Sequence, residues 1–107
     1  MNSKITGLED KLLNQIVSII LEYKNAEKIV IFGSRAKGIF SKTSDIDLAI
    51  FGKDWTDRDI NLIKNKLEEL IKTPCKLDVV NFYLLKKETL KQNIIREGRV
   101  LYESGKN

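Results

Sequence analysis

Apolar residues recur at the spacing of one α-helical face in three segments of the chain. These segments predict a helix at about 7–24, a second near 57–72 and a short third over about 86–96. Between the first two, Ser34–Gly38 is typical of one or two helical turns closed by glycine. The apolar stripes are best explained as faces that pack on a core.

The residues that flank the two longer helices suggest how those helices begin. Thr6 and Glu9 have the spacing of a capping box before the first helix. Thr56 suits the N-cap of the second helix, and Trp55 and Ile60 occupy hydrophobic-staple positions around it. Trp55 could instead stack on a base, but packing at the start of the helix is the simpler interpretation.

Short β-branched and apolar runs predict four strands, at Lys28–Phe32, Asp45–Phe51, Lys76–Phe82 and Arg99–Tyr102. Together with the helices they give the order α-β-α-β-α-β-α-β. This order predicts an α/β or α+β fold, in which helices pack on a small mixed sheet. The length of 107 residues suits a single domain over residues 1–107.

Composition and charge narrow the function only slightly. The chain is 42% hydrophobic and 32% charged, which is typical of a globular protein, and its net charge is +4. Because 15 acidic residues lie among 19 basic ones, an ordinary solvated surface explains the charge. A partner that bears phosphates is compatible with it, whereas direct nucleic-acid binding has poor support.

The chain contains no histidine and one cysteine, Cys75. This excludes Ser-His-Asp and Cys-His catalytic groups and the usual zinc sites. Acid–base chemistry would have to use carboxylates, lysine, tyrosine or metal-bound water, and the favoured metals are hard cations with oxygen ligands. One cysteine, no signal-like stretch and no membrane-length apolar segment lead us to expect a cytoplasmic protein.

Gly33-Ser34 joins the first predicted strand to the predicted helical turn. Glycine allows a sharp turn and a close approach of the backbone to a ligand. Backbone N–H groups at the start of a helix favour an anion, and Ser34 adds a hydroxyl donor. A strand-to-helix turn needs such residues in any case, so phosphate binding and simple turn formation both remain open.

Asp45 and Asp47 lie at the start of the second predicted strand. Side chains alternate along a strand, so both carboxylates point to one face, while Ile46 points to the core. Aspartate is disfavoured in strands, and two on one face would repel each other unless they stay hydrated or bind a cation. The alternatives are a metal site and a solvated strand terminus.

Asp78 interrupts the apolar third strand between Leu77 and Val79. A charge there is costly unless it is paired or coordinates metal. The alternative is an aspartate on an edge strand, facing water or a lysine. If this strand lies beside the Asp45–Phe51 strand, the three aspartates can converge and hold two Mg²⁺ ions for an in-line displacement at phosphorus.

The stretch GSRAKGIFSKTSDIDLAIFG resembles the signature of the DNA polymerase β-like nucleotidyltransferase superfamily. The match consists of Gly33-Ser34, ten residues, and then Asp-x-Asp. The stretch is most similar to the small branch called minimal nucleotidyltransferases. The resemblance extends over nearly the whole chain, from the leading helix to the closing REGRVLYE, and implies the nucleotidyltransferase fold.

The resemblance implies a role for each motif residue. Asp45 and Asp47 would ligate both Mg²⁺ ions, and Asp78 would be the third carboxylate, which also helps to deprotonate the acceptor hydroxyl. Gly33 and Ser34 would cradle the triphosphate of ATP. In this reading Asp45, Asp47 and Asp78 are both the catalytic and the metal-binding residues.

Two roles are open for the basic residues that follow the turn. Arg35 and Lys37 occupy basic positions of the family's GSRARG stretch, so they could contact phosphates or could be ordinary surface charges. The chain also departs from the pattern in the next loop. Many relatives carry arginine where this chain has Ser41, followed here by Lys42.

Minimal nucleotidyltransferases are often antitoxins that pair with a HEPN-domain toxin, to whose tyrosine they attach AMP from ATP. The resemblance therefore implies a protein adenylyltransferase that forms a hetero-oligomer with a HEPN partner. A domain this short leaves little room for a lobe that grips an acceptor, which agrees with a partner supplying it. The main alternative is a binding-only antitoxin or regulatory subunit. Transfer to a small molecule is less compatible with the length.

Overall fold

Four strands form one sheet in the computed structural model, which describes residues 6–105. They are β1 (Lys28–Phe32), β2 (Ile46–Phe51), β3 (Leu77–Asn81) and β4 (Arg99–Glu103). The strand order is β3-β2-β1-β4. β1 is antiparallel to both β2 and β4, whereas β2 and β3 are parallel. The predicted mixed sheet is confirmed, and β3 is an edge strand.

Over residues 10–105, four helices and one 3₁₀ turn precede or connect these strands. The helices are α1 (Asp10–Tyr23), α2 (Ser34–Lys37), α3 (Asp57–Leu70) and α4 (Glu88–Glu97), and the 3₁₀ turn is Phe82–Leu84. The predicted alternation of helices and strands is therefore confirmed. Within residues 6–105, no helix is both long enough and apolar enough to cross a bilayer.

The two faces of the sheet are covered unequally. On the two-helix face, α1 and α3 pack over alternate strand residues such as Ile31 and Leu48, and this packing forms the larger core. On the one-helix face, Ile94 of α4 packs with Val30, Ala49 and Phe51 in a smaller core. Because strand side chains alternate between faces, β1, β2 and β3 contribute to both cores, whereas Leu101 and Tyr102 of β4 pack against the larger one.

The predicted capping box at Thr6 and Glu9 is wrong. Helix α1 begins at Asp10 with Glu9 as its N-cap residue, and Glu9 makes no side-chain cap. The Thr6 hydroxyl instead accepts a hydrogen bond from the Leu8 N–H, at 3.3 Å. The physical reason is Gly7, whose φ of +74° is left-handed, so a right-handed helix cannot run through it.

The predicted N-cap at Thr56 is confirmed. Its hydroxyl accepts a hydrogen bond from the Asp59 N–H at 3.1 Å, and the Asp59 carboxylate accepts one from the Thr56 N–H at 2.8 Å. Trp55 and Ile60 are both buried in the larger core. Trp55 is only 2% exposed, and its Nε1–H donates to the Asn25 carbonyl at 2.7 Å, so its role is packing.

Asp59 also links α3 to the end of α1. Its carboxylate accepts a 2.6 Å hydrogen bond from the Tyr23 hydroxyl and pairs with the Lys24 ammonium at 3.0 Å. The Tyr23 bond, followed by the bonds from Thr56 and Lys24, holds the pKa of Asp59 well below its usual range. These bonds favour the ionised carboxylate and so fasten the two helices of the two-helix face together.

Replacing Asp59 with asparagine should lower the melting temperature near neutral pH, because the amide lacks the charge that its neighbours bind. A carboxyl whose pKa is lowered by folding stabilises the fold fully above its ordinary pKa. That stabilisation is lost as the pH falls through the ordinary value towards the lowered one. The difference between wild type and Asp59→Asn, followed by circular dichroism, should therefore shrink in acid. An equal loss in Asp57→Asn, on the same helical turn, would contradict this assignment.

Candidate active site

The parallel pairing of β2 and β3 brings two of the predicted aspartates side by side. Asp47 and Asp78 are direct register partners, and neighbouring strands lie about 4.8 Å apart. The residues flanking each aspartate are buried in the larger core. Strand alternation therefore assigns both aspartates to the one-helix face. Asp47 is partly exposed and Asp78 is exposed, so α4 leaves this end of the face open to solvent.

Asp47 is the most buried of the three aspartates. Burial raises the pKa of Asp47 above its usual value, and the negative charges of Asp78 and Asp45 raise it further, while Lys76 acts in the opposite direction. Both main causes disfavour the ionised carboxylate. A cation bound at this position would offset both, so the electrostatics of the site favour a positively charged ligand.

Asp78 adopts the alternative arrangement that the sequence left open. It lies on an edge strand, its side chain is 51% exposed, and its Oδ1 is 3.9 Å from the Lys64 ammonium. The same oxygen accepts a 3.1 Å hydrogen bond from the Val79 N–H. Since α3 packs on the two-helix face, Lys64 reaches Asp78 around the open edge of β3. Exposed ion pairs contribute little to stability, so this pair is readily exchanged for another partner of Asp78.

The three predicted metal ligands are near one another but are not assembled into a closed site. Asp45 is exposed and lies immediately before β2. Among residues 6–105, no three His, Cys, Asp or Glu side chains are close enough to hold a metal ion. The donor set nevertheless fits Mg²⁺, because it consists of carboxylate oxygens next to a partly buried, charge-crowded Asp47.

The Gly33-Ser34 turn lies directly against Asp47. Gly33 has φ +77° and ψ −155°, a conformation that is essentially restricted to glycine. A Cβ atom at this position would collide with Asp47 Oδ2. Ser34 is the first residue of α2, and the Lys37 N–H donates to the Gly33 carbonyl at 3.3 Å. The predicted turn is therefore present, and glycine is required there so that Asp47 can approach the backbone.

The two basic residues after the turn differ in placement. Lys37 is 42% exposed and lies 3.4 Å from Glu97 of α4, so its ammonium remains accessible. Arg35 is only 2% exposed, and its guanidinium donates to backbone carbonyls of the chain. The surface-charge alternative is therefore wrong for Arg35, whose guanidinium N–H groups are directed inward in this structure. A one-turn helix is too short for its sequence to reveal which side is buried.

Replacing Gly33 with alanine should lower the free energy of unfolding by about 1–3 kcal/mol, the cost of holding a non-glycine residue in this backbone region. The methyl group should also displace the Asp47 carboxylate. Urea unfolding measures the first effect. Gly105→Ala is the matched control for the collision with Asp47, because Gly105 has the same φ of +77° but its added Cβ would contact nothing. An unchanged unfolding free energy for Gly33→Ala would contradict the predicted strain.

Replacing Asp47 with asparagine in metal-chelated buffer should raise the melting temperature near neutral pH. A carboxyl whose pKa is raised by folding carries no penalty below its ordinary pKa. The penalty grows as the pH rises through the ordinary value and then the raised one, and the neutral amide avoids it. The gain should therefore vanish in acid. The exposed Asp54→Asn is the matched control for the substitution itself. A gain of equal size at all pH values would contradict the assigned cause.

The sequence is similar to a known family and to a named relative. The family described as "Polymerase beta, Nucleotidyltransferase" matches residues 14–107. MJ0604 of Methanocaldococcus jannaschii, which carries the name of a protein adenylyltransferase, is 30% identical over 105 residues. That alignment covers 88% of this chain and 98% of the relative.

Solved structures share the fold. A chain of a toxin–antitoxin complex crystallised with AMP-PNP superposes with a TM-score of 0.74 at 22% identity, covering 87% of this chain and 74% of that one. A chain from the complex of a tri-AMPylated Shewanella oneidensis HEPN toxin with its MNT antitoxin gives 0.70 at 19% identity, with coverages of 90% and 74%. With the sequence match over residues 14–107, these likenesses lead to one conclusion: the chain belongs to the polymerase β nucleotidyltransferase family.

Proposed function

We propose that this chain is a Mg²⁺-dependent nucleotidyltransferase that transfers AMP from ATP to a partner protein, and that it acts in the cytoplasm as the antitoxin of a HEPN-domain toxin. The observation that carries the proposal is the parallel register of Asp47 and Asp78, with the Gly33 turn packed against Asp47. Family membership supports nucleotidyl transfer as the reaction class. The chain and its toxin would form a hetero-oligomer.

Each residue of the site has a distinct task in this proposal. Asp45 and Asp47 hold two Mg²⁺ ions together with Asp78, which requires the Asp78 side chain to leave Lys64 and turn towards Asp47. When bound, Mg²⁺ supplies charge neutralisation for the triphosphate and polarises the reacting oxygens. The N–H groups that follow Gly33, together with the Ser34 hydroxyl, donate hydrogen bonds to phosphate oxygens.

The transfer itself is a displacement at the α-phosphorus of ATP. The acceptor hydroxyl oxygen forms a bond to this phosphorus, and the bond to the bridging oxygen of the β-phosphate breaks, so that pyrophosphate leaves. Asp78 takes the proton of the acceptor hydroxyl, as suits an exposed carboxylate on an edge strand. The exposed Lys37 is available to contact the triphosphate once it parts from Glu97.

A protein acceptor is supported by the relatives. The adenylyltransferase-named MJ0604 aligns over almost its whole length, so this chain has nearly the extent of a relative whose name specifies a protein acceptor. The HEPN toxin in the Shewanella oneidensis complex is tri-AMPylated, and its partner there is an MNT antitoxin. These names suggest both the transferred group and the class of partner for the present chain.

A binding-only antitoxin is the alternative function. The observation that favours it is the Asp78 carboxylate, which pairs with Lys64 instead of converging with Asp45 and Asp47. Such a protein would neutralise its toxin by complex formation alone. The two functions differ in cells: a binding-only antitoxin would still neutralise its toxin fully as the double variant Asp45→Ala/Asp47→Ala.

The direct test uses ATP radiolabelled at the α-phosphate, Mg²⁺ and the protein encoded by the adjacent reading frame. Wild type should transfer label to that protein, and Asp47→Asn should lower the rate by at least about 100-fold, because removing a central catalytic group commonly costs this much. The exposed Asp54→Asn is the matched control and should transfer at the wild-type rate.

Metal binding gives a second readout of the same proposal. Adding Mg²⁺ should raise the melting temperature of wild type, because a ligand that binds only the folded state stabilises it. Adding Mg²⁺ should leave the melting temperature of Asp47→Asn nearly unchanged. Label transfer that survives at the wild-type rate in Asp47→Asn would reject the catalytic role of the aspartates and, with it, the proposed enzyme.

A further inference from the structure

Arg35 is a buried arginine that the proposed reaction does not use. It is 2% exposed, although it lies one residue after Ser34 at the surface turn. Its guanidinium also stacks over the Phe40 ring, with Cζ 5.2 Å from the centroid. A buried guanidinium is costly unless its N–H groups find acceptors, so its partners explain why it is there.

The partners of Arg35 come from three separate segments of the chain. Nε donates to the Ser44 carbonyl at 3.0 Å, and Nη1 donates to the Thr6 carbonyl at 2.9 Å. Nη2 lies 3.2 Å from the Lys42 carbonyl and 3.2 Å from Cys75 Sγ. We call Arg35 with these four acceptor groups the guanidinium hub. It joins the segment before α1, the loop before β2 and the loop before β3.

Two of these segments lead directly into the strands that carry the carboxylates. Ser44 immediately precedes Asp45, and Cys75 lies two residues before β3. Next to Cys75 in the chain, the Lys76 carbonyl accepts a 2.8 Å hydrogen bond from the Ile46 N–H, which joins the first residue of β2 to the residue before β3. The Cys75 thiol also donates to the Lys42 carbonyl at 3.3 Å, which closes the link between the two loops.

We propose that Arg35 is a positioning residue, whose guanidinium hub holds the starts of β2 and β3 so that Asp45 and Asp78 stand at the correct separation for nucleotidyl transfer. The inference rests on the proposed function for its catalytic part. It reassigns an arginine of the glycine-serine turn from phosphate contact to the architecture beneath the site. A planar guanidinium can bind acceptors that diverge in several directions, whereas a lysine ammonium at the same position cannot reach them all.

Arg35→Lys is the discriminating variant, because it keeps the positive charge and loses the planar guanidinium with its several N–H donors. In the nucleotide-free protein, hydrogen–deuterium exchange should speed up in residues 41–46 relative to wild type. In the radiolabel assay, kcat should fall by about 10- to 100-fold, the cost of a small misplacement of reacting groups. KM for ATP should stay within about twofold. Arg58→Lys, at an exposed position on α3, is the matched control and should match wild type in all measurements.

A phosphate-contacting Arg35 would give a different pattern. It would leave exchange in the nucleotide-free protein unchanged and would raise KM for ATP, and either result overturns the positioning role. If Arg35→Lys fails to fold, Cys75→Ala tests the guanidinium hub instead, because it removes one acceptor of the hub but no charge. Exchange in residues 41–46 should then rise, and unchanged exchange overturns the proposal. If wild type transfers no nucleotide, the proposed function fails, while the exchange measurements still decide whether the hub exists.

Discussion

Two like charges at the same level of adjacent strands repel each other, and the geometry of the candidate active site depends on how the structure accommodates this repulsion. Asp47 and Asp78 are held as register partners by the backbone pairing of β2 and β3. Burial and the charge of Asp78 together raise the pKa of Asp47, while the Asp78 carboxylate lies 3.9 Å from the Lys64 ammonium. A carboxylate with a perturbed pKa beside a second carboxylate is typical of a functional site.

Because the two faces of the sheet are covered unequally, most of the apolar packing lies on the face opposite the aspartates. The larger core lies under α1 and α3, and the Asp59 contacts that join these helices involve none of the three candidate metal ligands. The one-helix face needs only Ile94 and its neighbours at one end, so the other end is free to present polar groups. A mutation that disturbs the open end therefore leaves most of the apolar packing intact.

The sequence predicted the elements well because their signals are local. Periodicity, Thr56 and the Gly33 turn each depend on a few adjacent residues, and Thr6 failed because the conformation of Gly7 overrode a spacing rule. The pairing of Asp47 with Asp78 depended on β2 and β3 being neighbours, which no local pattern specifies. The ion pair of Asp78 with Lys64 could not be foreseen, because α3 carries two lysines, Lys64 and Lys66, and only the tertiary packing selects one.

The guanidinium hub has a consequence for how the loop before β2 can vary among relatives. Arg35 binds the main-chain carbonyls of Ser44, Lys42 and Thr6, and it approaches that of Ser41 to 3.3 Å. Every residue has such a carbonyl, so the loop can change its side chains without losing its anchor. The backbone path of the loop therefore does not depend on the side chains at these positions. A relative with arginine in place of Ser41 can keep the same backbone path while presenting a different surface to nucleotide and partner.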